Sequence, residues 1–228
     1  MKQSIFYKDL GRQSYKEVWD LQETLLKEKV EQKQNDIQPR HELLFVEHNP
    51  VYTLGKSGDA GNMLLSLQER ANKGIEYFHI NRGGDITFHG PGQIVGYPIF
   101  DLSQFKTDLG WYLRSLEEVV ILTLQQYGIE GERSKGETGV WIDAHKKGHE
   151  RKICAMGIRA SRWITMHGFA LNVNTDLDYF NFIIPCGIQN KQVTSIQKEL
   201  KKEIDMHEVQ ERLKLNFEKV FDATVKDA

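Results

Sequence analysis

Arg82-Gly83-Gly84-Asp85-Ile86-Thr87-Phe88-His89-Gly90-Pro91-Gly92-Gln93, running directly into the apolar segment from Ile94 to Phe100, is the stretch around which the chain is organised. Gly83-Gly84 and Gly90-Pro91-Gly92 punctuate a short alternating segment, Asp85 to His89, so two tight turns bracket one strand and present its ends above a sheet. Such a cradle lets backbone N–H groups approach a ligand closely, while Arg82 adds a permanent cation and His89 a group that titrates near neutral pH. A plain hairpin with glycine turns satisfies the same turn chemistry. The first glycine pair lacks the strand-then-helix setting and spacing of a dinucleotide or P-loop fingerprint, so phosphate binding of that kind is not indicated.

Working outward, Gln13 to Asn35 carries Tyr15, Val18, Leu21, Leu25 and Leu26 at helical spacing and predicts an amphipathic helix. His41 to Glu47 predicts a strand ending at the turn signal Asn49-Pro50, and Val51 to Leu54 reads as its brief continuation. Gly55 to Gly61 is a glycine-rich loop of the kind that serves as a lid. A short helix follows around Leu65 to Asn72 and is ended by Gly74, and Ile75 to Asn81 is a strand that delivers the chain to the cradle. Asp108 to Tyr127 predicts the longest helix, capped by Asp108 and Gly128, with an apolar face wide enough to pack on a sheet and on another helix. Thr138 to Asp143 and Arg151 to Arg159 pair across a polar tip, Ala144 to Glu150, and Ile164 to Val173 is a further strand. Phe180 to Ile184 is a short apolar run, and Asp205 to Phe221 is a helix in which Asp205 and Glu208 have capping-box spacing. Strands linked as hairpins and mixed with helices predict an α+β chain with a mixed β-sheet.

The 228 residues suit a single catalytic domain over residues 1–228 with a sizeable core. Lys plus Arg number 30 against 32 Asp plus Glu, a formal net charge of -2, so no electrostatic case exists for a nucleic-acid partner. No apolar run approaches a membrane span, and Met1-Lys2-Gln3-Ser4-Ile5 lacks the apolar core of a secretory signal, so a cytoplasmic protein without a membrane partner is expected, and a monomer. His48, His79, His89, His145, His149 and His167 are scattered without metal-ligand spacing, so neither a metal nor a cofactor is expected.

The two cysteines lack metal-ligand spacing and the density of a disulfide scaffold, which leaves thiol chemistry. Cysteine is a nucleophile only as thiolate and needs a nearby cation or base and some exposure. Cys186, in Ile183-Ile184-Pro185-Cys186-Gly187-Ile188, fits that better than Cys154, because an apolar run ends at Pro185 and neighbouring N–H groups are free to face an oxyanion. Cys154, inside Ile153-Cys154-Ala155-Met156, suits a small core residue. Lys152 favours a thiolate as ammonium and acts as a base once deprotonated, while His48, His89 and His167 offer competing bases.

Three stretches together resemble the lipoyl(octanoyl) transferases of lipoate biosynthesis: Arg82 to Gln93, Lys152-Ile153-Cys154-Ala155-Met156-Gly157-Ile158-Arg159 and Ile184-Pro185-Cys186-Gly187-Ile188. The resemblance continues through His48-Asn49-Pro50-Val51-Tyr52-Thr53-Leu54-Gly55, Glu137-Thr138-Gly139-Val140-Trp141 and His167-Gly168-Phe169-Ala170-Leu171-Asn172-Val173, and covers residues 40–200 in the family's order. It implies the fold of biotin and lipoate protein ligases, a mixed β-sheet flanked by helices. It implies transfer of an octanoyl group from octanoyl-acyl carrier protein to a lysine of lipoyl domains, those of the 2-oxoacid dehydrogenases and the glycine cleavage H protein. It implies Cys186 as acyl-thioester nucleophile and Lys152 as its acid/base partner. The acyl pocket would then be lined by Arg82, Gly83, Gly84, Asp85, Ile86, Thr87, Phe88 and His89, by Ala155, Met156 and Gly157, and by Gly168, Phe169 and Ala170. A thioester is already activated, so this transfer needs no ATP, and burial of the acyl chain is worth about 0.8 kcal/mol per CH₂.

The chain departs from the family pattern at Cys154, where a small aliphatic residue is expected, and at Asp85, where an uncharged amide is expected. Rival readings are an ATP-dependent lipoate or biotin ligase, a non-catalytic acyl- or carrier-binding module, and a cysteine hydrolase using His89 or His167. Lys146, Lys147, Arg151, Lys191, Lys198, Lys201 and Lys202 offer a basic rim for an acidic carrier protein, or a solvated charged face.

Overall fold

The computed structural model of the chain describes residues 2–184 and 192–228; Cys186 and Lys191 lie outside the described residues. In chain order the elements are β1 (Gln3–Gln13), α1 (Tyr15–Gln34), β2 (His41–His48), β3 (Val51–Leu54), α2 (Leu67–Asn72), β4 (Glu76–His79), β5 (Ile86–His89), β6 (Gln93–Ile99), α3 (Leu109–Gln125), β7 (Val140–Ile142), β8 (Arg151–Ser161), β9 (Ile164–Asn172), β10 (Gln192–Val193), α4 (Ile196–Leu200), α5 (Met206–Phe221) and β11 (Ala223–Asp227). Among the described residues, no helix is long and apolar enough to cross a membrane.

The large sheet runs β10-β8-β9-β6-β2-β1-β11, with β7 also paired to β8. It is mixed: β1 is parallel to both β2 and β11, whereas β2, β6, β9 and β8 are successively antiparallel. Both faces of β2 are covered, which is why Leu43-Leu44-Phe45-Val46 is continuously apolar rather than alternating. Leu43 and Phe45 pack with Leu116, Val120, Leu213 and Phe217 of α3 and α5, and Leu44 and Val46 pack with Val18 and Leu26 of α1.

Val51–Leu54 does not continue β2. It crosses into a second sheet, β4-β3-β5, whose core of Tyr52, Leu54, Ile86 and Phe88 is closed by Phe180 and Ile183. The turn at Asn49-Pro50 redirects the chain, and no local periodicity says to which sheet a four-residue strand goes. The strands β1 and β11 also lacked a sequence signal. Both carry many polar residues, and they become strands by pairing, β1 with β11, as in Ile5↔Val225, and β1 also with β2, which leaves β11 at the edge. The apolar run Phe180 to Ile184 begins in a 3-10 turn, Leu177–Phe182, and Ile183 forms a bridge to Met63.

The expected capping box at Asp205 and Glu208 does not form. The Asp205 carboxylate accepts from His207 N, and Glu208 pairs with Arg212 one turn on. The box that does form opens α2, where Ser66 Oγ accepts from Glu69 N and Glu69 Oε2 accepts from Ser66 N.

Candidate active site

A cavity of about 560 Å³ opens where the two sheets face each other, within the range of small-molecule sites. Its lining holds every described residue expected of the acyl pocket except Phe88. Strand alternation turns Phe88 away from the cavity, into the small sheet's own core, where it stacks on Tyr179 at 4.5 Å between ring centroids.

The cradle is held by its own arginine. Arg82 donates from Nη2 to the carbonyls of Thr53 (2.8 Å) and Asp85 (2.7 Å) and from Nη1 to that of Gly83 (2.9 Å). Its guanidinium therefore ties the turn to β3 as well as lining the cavity. Gly83 N in turn donates to Ile158 O of β8 at 3.0 Å. That approach requires glycine at 157, since a Cβ there would lie 2.5 Å from Gly83 O. The Gly55 to Gly61 loop is fastened to the same turn: Gly55 N, Lys56 N and Ser57 N donate to the carbonyls of Asp85, Arg82 and Gly84. Its backbone is thus tied to the cradle at Gly55, Lys56 and Ser57.

The three histidines named as possible bases are buried and neutral. Burial, with His48 and Arg82 nearby, pushes His89 well below its ordinary value. Gln93 Nε2 donates to Asn172 Oδ1 (2.9 Å), which leaves Gln93 Oε1 to accept from His89 Nδ1 at 2.8 Å and so sets the tautomer. His167 is pushed down to about 3 by burial and by Arg82 and Arg159, and it sits at a left-handed φ of 59° inside β9. His48 is pushed down to about 4 by burial, with Nε2 2.7 Å from Tyr97 Oη.

Lys152 lies on the cavity wall with Nζ 4.5 Å from the Trp141 ring centroid, and no carboxylate lies within ion-pair distance of it among the described residues. Its backbone is gripped on both sides, by Trp141 of β7 and Val193 of β10, and its carbonyl accepts from Thr194 N at 2.9 Å. Cys154 does not reach the lining. It is fully buried beside Val140 and Leu171, and burial pushes its thiol far above the ordinary value, so it is a core residue.

Several contributors were not singled out in the sequence. Tyr15 and Tyr97 line the cavity from α1 and β6, and Leu109 and Leu113 from α3. The wall at Gly136, Glu137 and Thr138 is anchored by Glu117, a fully buried carboxylate on α3. Its Oε1 accepts from Gly139 N (3.0 Å), and its Oε2 accepts from Arg114 Nη1 (2.6 Å) and Arg133 Nε (3.1 Å). The signal for it was present, because helical spacing puts Glu117 on the same buried stripe as Leu113, Val120 and Leu124, where an acid demands partners.

The basic rim is partly neutralised: Arg151 binds Glu199 through Nε (2.7 Å) and Nη2 (2.8 Å) and Asp143 through Nη1, and Lys146 also pairs with Asp143. Lys147, Lys198, Lys201 and Lys202 have no carboxylate within ion-pair distance among the described residues.

The sequence model of the lipoyl protein ligase A/B catalytic domain matches residues 14–218, so the apolar cavity between the mixed sheet and the small sheet belongs to a domain of that kind. The chain belongs to the octanoyltransferases: it is 57% identical over 233 residues to an octanoyltransferase of Christiangramia forsetii, covering 99% of each chain, and 54% identical over 232 residues to one of Flavobacterium psychrophilum, covering 99% of this chain and 100% of that one. It is an acyltransferase of lipoate metabolism, which sets aside the ligase, hydrolase and binding-module readings. The fold is shared with a bipartite lipoate protein ligase of Thermoplasma acidophilum, with TM-score 0.73 at 16% identity, covering 100% of this chain and 87% of that one. It is shared too with an ATP-bound lipoate-protein ligase A, with TM-score 0.72 at 15% identity, covering 100% and 89%.

Proposed function

We propose that the enzyme takes the octanoyl group from the thioester of an acyl carrier protein onto Cys186 and passes it to the lysine of a lipoyl domain, in 2-oxoacid dehydrogenases and in the glycine cleavage H protein. The Cys186 thiolate adds to the thioester carbonyl and the carrier's thiolate leaves, taking a proton from the Lys152 ammonium. The target lysine's neutral amine then adds to the acyl-Cys186 carbonyl, expelling the Cys186 thiolate, while Lys152 as free amine accepts the proton lost by nitrogen and is reset as ammonium. The octanoyl chain lies in the cavity, along Ala155 to Gly157 and Gly168 to Ala170 and under the Arg82 to His89 turn.

One observation carries this reading. Phe180 and Val193, which flank the Cys186-bearing stretch on either side in sequence, line the same cavity as Lys152. Burial of Cys154 removes the competing thiol, and the neutral, hydrogen-bonded state of His48 and His89 favours Lys152 over them as the proton carrier. Intact-protein mass after incubation with octanoyl-carrier protein tests it. An octanoyl adduct is expected on the native chain and on Cys154→Ser, none on Cys186→Ser, a slowed one on Lys152→Ala, and discharge by a lipoyl domain. An adduct that survives Cys186→Ser and vanishes in Cys154→Ser refutes the assignment.

A further inference from the structure

We infer that Asp85 and Asn62 form a latch that positions the chain leading into the reacting cysteine, so that Asp85 serves the reaction through this bond as well as by lining the cavity. The inference rests on the reading above that Cys186 is the acylated thiol.

Asp85 closes the cradle turn, and its acceptors face the protein. Its carbonyl accepts from Gly55 N (3.2 Å) and Arg82 Nη2 (2.7 Å), its Oδ1 from Ile86 N (2.7 Å) and its Oδ2 from Asn62 Nδ2 (2.7 Å). Asn62 ends a 3-10 turn, Ala60–Asn62, whose start is capped by Asp59. From there the hydrogen bonds cross to another part of the chain. Asn62 O accepts from Ile184 N at 2.9 Å, Met63 forms an antiparallel bridge with Ile183, and Leu64 N donates to Phe182 O at 3.0 Å. A two-bond relay thus joins the cradle turn to Ile184, and Cys186 follows two residues later in the sequence.

The relay accounts for an acid at position 85. Two N–H donors converge there, from the Ile86 backbone and the Asn62 amide, and a carboxylate, which only accepts, satisfies both. An uncharged amide at 85 offers one oxygen and one NH₂, so Asn62 must turn its own amide over to keep the bond.

Asn62→Asp places two carboxylates at that contact and forces them apart, whereas the exchange Asp85→Asn with Asn62→Asp restores one acceptor and one donor. Asn62→Ala deletes the bond without adding charge. Two quantities are read on each variant: the rate of octanoyl-adduct formation by intact mass, and hydrogen exchange of the Ile184 amide by NMR, with Tm as a check on folding. Asn62→Asp is expected to slow adduct formation at least tenfold and to speed Ile184 exchange at least tenfold, Asn62→Ala to fall between it and the native chain, and the exchanged pair to return Ile184 exchange to within threefold of native and to form adduct several-fold faster than Asn62→Asp alone. Adduct formation within twofold of native in Asn62→Asp and Asn62→Ala, or no recovery in the exchanged pair, overturns the inference. If the native chain forms no adduct on Cys186, the proposed function fails instead, and Ile184 exchange still decides whether the latch exists.

Discussion

Removing the Glu117 carboxylate is the sharpest test of how the cavity wall is held. Glu117→Ala leaves Gly139 N–H buried without an acceptor, which costs about 1–3 kcal/mol, and withdraws one buried methylene worth about 0.8 kcal/mol. Arg114 and Arg133 are 47% and 37% exposed in their side chains, so they turn to water and their pairs add about 0.5 kcal/mol apiece at most. The expected loss is about 2–5 kcal/mol, or roughly 10 °C in Tm for a chain of this length. Glu117→Gln keeps the stem and the oxygen that accepts from Gly139 N but sets an NH₂ against two guanidinium groups, so about 1–2 kcal/mol is expected. Urea unfolding followed by tryptophan fluorescence measures both. Loss of less than about 0.5 kcal/mol in Glu117→Ala, or equal losses in the two variants, would refute the reasoning that the Gly139 bond dominates.

Gly157→Ala drives a methyl group into Gly83 O and breaks the Gly83 N to Ile158 O bond; about 1–3 kcal/mol of stability should go, with a raised KM for the acyl donor, and an unaltered KM contradicts the close-approach argument. Cys154→Ala should transfer octanoyl at close to the native rate, whereas Cys154→Ser, which buries a hydroxyl where the thiol donates only weakly to Ala155 O at 3.6 Å, should unfold at lower urea by about 1 kcal/mol, and loss of turnover in a folded Cys154→Ala would give this thiol a chemical role. Below pH 6.5 the unfolded chain protonates His48 and His167 while the folded chain keeps them neutral until about pH 4 and about 3, so acid favours unfolding. Stability should fall as pH drops from 7 to 5, by up to about 1.4 kcal/mol per pH unit for each histidine, and a urea midpoint that stays level across that range refutes their neutral burial.

The elements most legible in the sequence were those whose own pattern is strong. Tyr15–Gln34 and Leu109–Gln125 lie within one or two residues of where their periodicity and caps place them, and the glycine-bracketed strand is Ile86–His89. The cradle, the Lys152 strand and the Gly168 strand were recognisable as one site because each carries its own motif. Tyr15, Tyr97 and Glu117 were not, since a residue on a buried stripe shows the same spacing whether it packs, lines a cavity or holds a loop.

Taken alone, the sequence determined the class of fold and the family, and nominated Lys152 and Cys186 for the chemistry proposed above, because turn glycines, a lysine before an apolar strand and a cysteine between proline and glycine are local statements. Tertiary structure decided what depends on pairing between distant segments. It sent Val51–Leu54 to a second sheet, made strands of Gln3–Gln13 and Ala223–Asp227, turned Phe88 away from the cavity, buried Cys154 and neutralised the histidines. It also joined Asp85 through Asn62 to Ile184, positions 23 and 122 residues apart in the chain. Burial and partner choice are properties of the packed chain, in which an identical side chain is an acid on the surface, a clamp in the core or a latch between turns according to what the fold sets against it.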